Sequence, residues 1–192
     1  MILGITGGTG CGKTTLLKEI ERRGGLVLDC DAVYHELLTR DDALLSAIEA
    51  RFPGVVEDGQ LQRKKLGAIV FADEQALLDL NTITHGAIRA EIVRRLSENP
   101  ALAALDAIAL FEGGLAQLCD TCVAVCAPEE DRVERLMQRD GITREYARSR
   151  IRAQKSEAWF RSVCDHTLYN DGTRAEFREK CSVFLEKLLG AP

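Results

Sequence analysis

The chain of 192 residues is defined first by what it lacks. No apolar run reaches the roughly 20 residues that a helix needs to cross a bilayer, so no membrane partner is expected. The N-terminal "MILGITGG" has neither a basic leader nor a long apolar core, so it does not read as an export signal and a cytoplasmic location is expected. Lys and Arg are not in excess: 25 stand against 30 Asp and Glu, for a net charge of -5. A general nucleic-acid binder needs the opposite balance. The seven cysteines are odd in number and scattered, a poor disulfide framework. The tightest set, Cys119, Cys122 and Cys126 in "CDTCVAVC", has no second pair at metal-site spacing and reads as core thiols of a buried strand. Internal repeats and low-complexity segments are absent too. What remains is a chain long enough for one soluble domain with a small insertion, expected to be monomeric.

Residues 2–6, "ILGIT", read as a buried strand, "GGTGCG" as a loop and "KTTLLKEIERRG" as a helix. That helix gathers Leu16, Leu17 and Ile20 on one face and stops at Gly24. "LVLD" follows as a second strand, so the opening is a βαβ unit with parallel strands. Residues 31–99 change character and read as mostly helical with no clear strand, with "FPGVVEDGQ" as a polar turn between helices. Strands resume at "DAIALFE", residues 106–112, and "TCVAVCA", residues 121–127. Pro128 with Glu129 and Glu130 opens a helix. "GITREYARSRIRAQK" is polar and Arg-rich, "DHTLYN" is a last strand and "RAEFREKCSVFLEKLLG" a final helix.

"GGTGCGKT", residues 7–14, matches G-x-x-x-x-G-K-[ST] in the context the motif requires, a buried strand before it and a helix after it. Glycines let successive backbone N–H groups turn inward around a phosphate, and the helix N-terminus adds its positive dipole end. Lys13 would reach the β- and γ-phosphates of ATP, and the Thr14 hydroxyl would bind Mg2+. Gly8, Gly10, Cys11, Gly12, Lys13, Thr14 and Thr15 are therefore the ATP-binding candidates. Cys11 sits where a helix N-terminus lowers a thiol pKa, so it is expected to be alkylated readily and protected by ATP.

The loop does not separate phosphate chemistries, but the rest of the chain narrows them. No N-K-x-D guanine signature occurs, and no D-E pair of the kind a motor uses ends a strand; "ALFEGG" carries the single acid Glu112. A small chain with a helical insertion and an Arg-rich segment reads as a small-molecule kinase with a lid that closes on the phosphoryl group. Arg135, Arg139, Arg144, Arg148, Arg150 and Arg152 are the lid candidates. Against that stands a solvated helical face with i,i+4 pairs such as Asp131–Arg135 and Asp140–Arg144. In "VLDCDAVYHELL" the second strand ends at two acids, Asp29 and Asp31. Its carboxyl end should point toward the phosphate loop, where Asp31 could take the proton of an attacking hydroxyl or help hold Mg2+. Its rival role is the N-cap of a helix starting at Ala32.

Taken in order, these stretches resemble the dephospho-coenzyme A kinase family nearly end to end. "GITGGTGCGKTT" is similar to the family's opening "GLTGGIGSGKST", and "VLDCDAVYHELL" to "VIDAD" with its helix. "DGQLQRKKLGAIVF", "LNTITHGAIRAEI", "LFEGGL", "RLMQRDGITREYARSRIRAQ" and "CDHTLYNDGT" follow at the family's spacing. The chain departs from the pattern at His85-Gly86, where the family has His-Pro, and at Ile108-Ala109, where it has Pro-Leu. The resemblance implies an α/β P-loop NTPase fold, a three-layer sandwich with a mostly parallel five-stranded sheet, an inserted helical substrate domain and a lid. It places the nucleotide core at about 1–30, 101–136 and 164–192, the helical acceptor subdomain at about 31–100 and the lid at about 137–155. It implies transfer of the γ-phosphate of ATP to the ribose 3′-hydroxyl of dephospho-coenzyme A, with Mg2+ and with Asp31 as base. Arg139 would be the lid arginine, Asn170 would sit near adenine or serve as a turn residue in "NDG", and Asp31, Arg63, His85 and Glu112 would face the acceptor. The alternatives are a related kinase of another nucleoside-like alcohol, or an ATP-binding regulatory protein without transfer activity.

Overall fold

The structure, a computed structural model, describes residues 1–98 and 100–190; position 99 of the helical segment and the last two positions of the core segment lie outside them. The chain divides into two compact units, Met1–Leu28 with Pro100–Pro192, and Asp29–Asn99.

In chain order the elements are β1 (Ile2–Thr6), α1 (Lys13–Arg22), β2 (Leu26–Asp29), α2 (Cys30–Arg40), α3 (Asp42–Arg51), β3 (Val56–Glu57), β4 (Gln60–Leu61), α4 (Arg63–Val70) and α5 (Glu74–Leu96). They continue with β5 (Ala103–Asp106), a 3₁₀ turn at Leu115–Leu118, β6 (Thr121–Cys126), α6 (Glu129–Asp140), α7 (Arg144–Arg152), α8 (Glu157–Val163), β7 (His166–Tyr169) and α9 (Arg174–Leu189).

The first unit is a five-stranded, all-parallel sheet in the order β2-β5-β1-β6-β7. Strand β1 lies at its centre, with Ile2 opposite Ala103 and Leu3 opposite Thr121. Helices cover both faces, which is why β1 and β6 are apolar without alternation. On one face α1 and α9 close a core of Leu3, Ile5, Leu16, Ile20, Val125 and Phe177. Burying each such side chain contributes about 1.5–3 kcal/mol. On the other face Phe160 packs on Ala124 and Cys126. The α6–α7 pair has its own small core of Val133, Leu136, Ala147 and Ile151.

The expected strand at residues 106–112 is displaced. Its strand is β5, which ends where that reading began, at Asp106, and residues 108–114 form turns. Two apolar stretches compete here, and the space beside β1 decides between them: Ala103 and Ala104 are fully buried there. Small side chains fit a strand covered on both faces, although alanine by itself favours helix.

The second unit is helical, with α2, α3 and α4 each packing on α5. Two of its helices after the first are capped by aspartates: Asp41 caps α3 and Asp73 caps α5, while α4 has no side-chain cap. The expectation of no strand here is corrected by the β3–β4 hairpin. Its turn is Asp58-Gly59, with φ 50° and 72°, the two positive dihedrals of a type I′ turn. The helix expected from Ala32 starts at Cys30 instead, and its cap is Asp29, whose Oδ1 accepts from the N–H groups of Asp31 and Ala32 at 2.9 and 3.0 Å.

Candidate active site

Strand β1 runs straight into the glycine loop, and α1 starts at Lys13 with no side chain capping it. No capping side chain stands at the N-terminus of α1, an arrangement that leaves a helix end open to an anion. Gly12 sits at φ 100°, and a Cβ there would lie 2.4 Å from Asn170 Nδ2. Both the left-handed backbone and the close approach require glycine.

The Lys13 ammonium folds over the loop. Its Nζ donates to the Gly7 carbonyl at 3.3 Å and lies 3.8 Å from Asp106 Oδ1. Asp106 arrives through the register of the sheet, as the residue opposite Ile5 at the carboxyl end of β5. It is a site residue that the sequence reading missed. Its signal was present: "LAALD" is an apolar run closed by Asp, the strand-end acid that P-loop enzymes use beside the metal.

Four more side chains grip the loop from outside, and two of them, Arg132 and Gln154, were also missed. Arg132 Nε donates to the Thr9 carbonyl at 2.9 Å, while Gln154 Oε1 accepts from the Thr9 N–H at 2.8 Å. Arg132 and Gln154 meet each other at 3.5 Å. A Cβ at Gly8 would lie 2.2 Å from the Arg132 guanidinium, so the glycine makes room for it. Arg135 donates to the Gly10 carbonyl at 3.2 Å and also faces Asp131 at 3.5 Å. Asn170, buried at the end of β7, donates from Nδ2 to the Cys11 carbonyl at 2.9 Å. All of these partners are loop carbonyls except the Thr9 amide. Together these contacts fix the backbone of the glycine loop.

Cys11 contributes its backbone here. The thiol is 2% exposed, and burial outweighs the neighbouring Lys13 to push its pKa up. The expectation of a readily alkylated thiol is therefore corrected: desolvation disfavours the thiolate more than the helix end favours it. Thr15 lines a pocket of about 320 Å³ together with Lys18, Glu19, Arg22, Arg174 and Arg178.

Arg139, Arg144, Arg148 and Arg150 of the proposed lid hold carboxylates. Arg139 forks onto Asp140 at 2.7 and 3.0 Å. Arg150 binds the same carboxylate at 2.6 Å. Arg139 first, then Arg150, hold the Asp140 carboxyl at about 2. Arg144 and Arg148 both pair with Glu130. The expected Asp140–Arg144 pair is replaced because α6 ends at Asp140, with Gly141 at φ 65°, so the two residues share no helix. Glu112 is exposed in the turns after β5.

The other sequence candidates lie in the helical unit. Asp31 is exposed in the first turn of α2, and Asp29, not Asp31, accepts the helix amides. Arg63, the first residue of α4, meets His35 Nδ1 at 3.2 Å. The His35 ring is 5.8 Å from that of Tyr34, whose hydroxyl is pushed up by burial against the opposing pull of Arg63. His85 is half-buried on α5.

The comparisons with known proteins extend this picture to the whole chain. The dephospho-CoA kinase family profile (CoaE) matches residues 1–176. The dephospho-CoA kinase of Carboxydothermus hydrogenoformans is 34% identical over 192 residues, covering 97% of this chain and 93% of the relative. Among solved structures, a Thermus thermophilus protein superposes with a TM-score of 0.82 at 32% identity, over 99% of this chain and 98% of the other. The dephospho-CoA kinase of Campylobacter jejuni superposes with a TM-score of 0.68 at 25% identity, over 97% and 96%. A phosphate loop in its sheet context, a strand-end acid beside its lysine and a match from end to end make one conclusion: the chain belongs to the dephospho-CoA kinase family.

Proposed function

We propose that the chain transfers the γ-phosphoryl group of ATP to the ribose 3′-hydroxyl of dephospho-coenzyme A, giving coenzyme A and ADP. The observation that carries this reading is the Lys13–Asp106 pair over an uncapped phosphate loop, in a chain matched by the family along its length. The loop amides and Lys13 would hold the β- and γ-phosphates. The Thr14 hydroxyl and the Asp106 carboxylate are the oxygen donors that fit Mg2+, with Asp31 as a further candidate. When bound, that ion neutralises charge on the phosphates.

Asp31 is the candidate base. Its carboxylate is not used as a helix cap, since Asp29 has that task, so it is available to accept the proton of the attacking hydroxyl. As the 3′-oxygen bonds to the γ-phosphorus, the bond to the β–γ bridging oxygen breaks and ADP leaves. Arg139 would leave Asp140 to meet the phosphates as the lid closes. Arg63, His85 and Glu112 are candidates for acceptor contacts, and Asn170 supports the loop beneath the nucleotide.

The test is ADP release by the purified chain with Mg2+-ATP and a panel of alcohol acceptors. Release stimulated by dephospho-coenzyme A, with a phosphorylated 3′-hydroxyl in the product, is the expected result. Stimulation by a different alcohol alone would overturn the acceptor assignment.

A further inference from the structure

Cys119 and Cys122 take no part in the site above, yet the fold brings their sulfurs together. Cys122 lies opposite Gly4 in the β1–β6 pairing. A Cβ at Gly4 would stand 3.0 Å from Cys119 Sγ and 3.1 Å from Cys122 Sγ, so both sulfurs converge on the space that this glycine leaves open. The Cys119 thiol donates to the Leu115 carbonyl at 3.5 Å, which holds its sulfur on the side of Gly4 that Cys122 also faces.

The segment that carries them is pinned on two sides. Ile2 N–H donates to Asp120 Oδ2 at 2.7 Å, and Asp120 N–H donates to the Ile2 carbonyl at 2.8 Å. Thr121 Oγ1 and Cys122 N–H both donate to Asp165 Oδ2, at 3.1 and 2.7 Å. Cys119 is half-buried and reachable from solvent, whereas Cys122 is 6% exposed. Among the described residues no three His, Cys, Asp or Glu side chains gather as metal ligands, so chemistry of the two sulfurs themselves is the reading that fits.

We infer that Cys119 and Cys122 form a dithiol that closes to an intramolecular disulfide when it meets a low-molecular-weight disulfide. The Cys119 thiolate attacks one sulfur of the small disulfide, forming a mixed disulfide and releasing one small thiolate. The Cys122 thiolate then attacks the Cys119 sulfur, forming the internal bond and releasing the second small thiolate. Each protein thiol gives up its proton to a departing thiolate. The protein is oxidised by two electrons and the small disulfide is reduced to two thiols. In the reduced protein the neighbouring Cys119 thiol lowers the Cys122 thiol pKa. Burial pushes Cys126 to about 11, and Cys164 and Cys181 to about 12, which keeps these thiols from competing.

The test uses the reduced full-length protein and glutathione disulfide, with an acid quench, intact mass and peptide mapping. The wild type should lose two hydrogens, retain no glutathione and yield a linked Cys119–Cys122 peptide. Cys122→Ser, lacking the resolving thiol, should keep one glutathione on Cys119. Cys119→Ser should react at least about tenfold more slowly, because its remaining thiol is buried. A wild type that retains the adduct on Cys119, that links Cys122 to Cys164 instead, or that stays fully reduced overturns the inference.

Discussion

Removing the Gln154 amide should loosen the phosphate loop by a predictable amount. Gln154 Oε1 is the acceptor for the Thr9 N–H at 2.8 Å, and Thr9 is 8% exposed. In Gln154→Ala that amide loses its partner in a place that water reaches poorly. An unsatisfied buried donor costs about 1–3 kcal/mol. For a chain of this size each kcal/mol moves the melting temperature by about 2–4 °C. A fall of about 2–12 °C follows. The Arg132 bond to the Thr9 carbonyl survives the change, so the loop should loosen and not collapse.

Gln154→Glu separates this account from general damage. The carboxylate keeps an acceptor for Thr9 and faces the Arg132 guanidinium, so it should restore most of the melting temperature that alanine loses. The second readout is ADP release across an ATP titration. Alanine should raise KM for ATP more than it lowers kcat, because the misplaced amide belongs to the proposed nucleotide cradle. If Gln154→Ala melts within a degree of the wild type and keeps its KM, the contact carries no weight and the clamp argument is wrong.

Other perturbations test other parts of the site. Asp31→Asn should retain ATP binding and lose a hundredfold or more in turnover, typical of a general base; full activity in a steady-state assay would remove it from the mechanism. Asp106→Asn should raise the Mg2+ concentration needed for half-maximal rate, read from a metal titration at fixed ATP. Gly12→Ala should abolish nucleotide binding in a calorimetric titration, because φ 100° is strained for alanine and its Cβ meets Asn170. Glu91, held at about 2 by Arg94 and then Arg95, contributes stability that is full above the ordinary carboxylate range and is lost as pH falls toward 2. Glu91→Gln should therefore flatten the acid limb of a melting-temperature profile below about pH 4.5.

The amino-acid sequence alone makes legible the part in which local chemistry decides. The phosphate loop needs particular residue types at particular spacings, and α1 needs an apolar face, so both were legible. Where two segments could serve equally, partners decided instead. "LAALD" and "DAIALFE" are both plausible strands, and only the pairing with β1 selects the first. That choice moved the strand-end acid from Glu112 to Asp106. Asp58-Gly59 was read as a polar turn because its flanks, Val56–Glu57 and Gln60–Leu61, are too short to show alternation. The roles of Arg132, Gln154 and Asn170 as clamps were not legible. Their contacts span 123, 145 and 159 residues of chain, and no periodicity encodes such distances.

The two acids of "VLDCDA" show how one structural detail separates roles that composition leaves equal. A helix beginning at Ala32 would have made Asp31 the cap, with its carboxylate occupied by backbone amides. The helix begins two residues earlier, so the Asp29 carboxylate accepts both amides and Asp31 points from the first turn with no such duty. Cap substitutions cost about 0.5–2 kcal/mol, which makes Asp29 a residue of stability. A base needs the reverse: a lone pair not already engaged and a position held by its neighbours. Asp29 supplies that position, because its bond to the Asp31 N–H fixes the backbone from which the Asp31 side chain projects. Asp29→Asn, which can still cap, should therefore spare turnover, while Asp29→Ala should lower stability and turnover together.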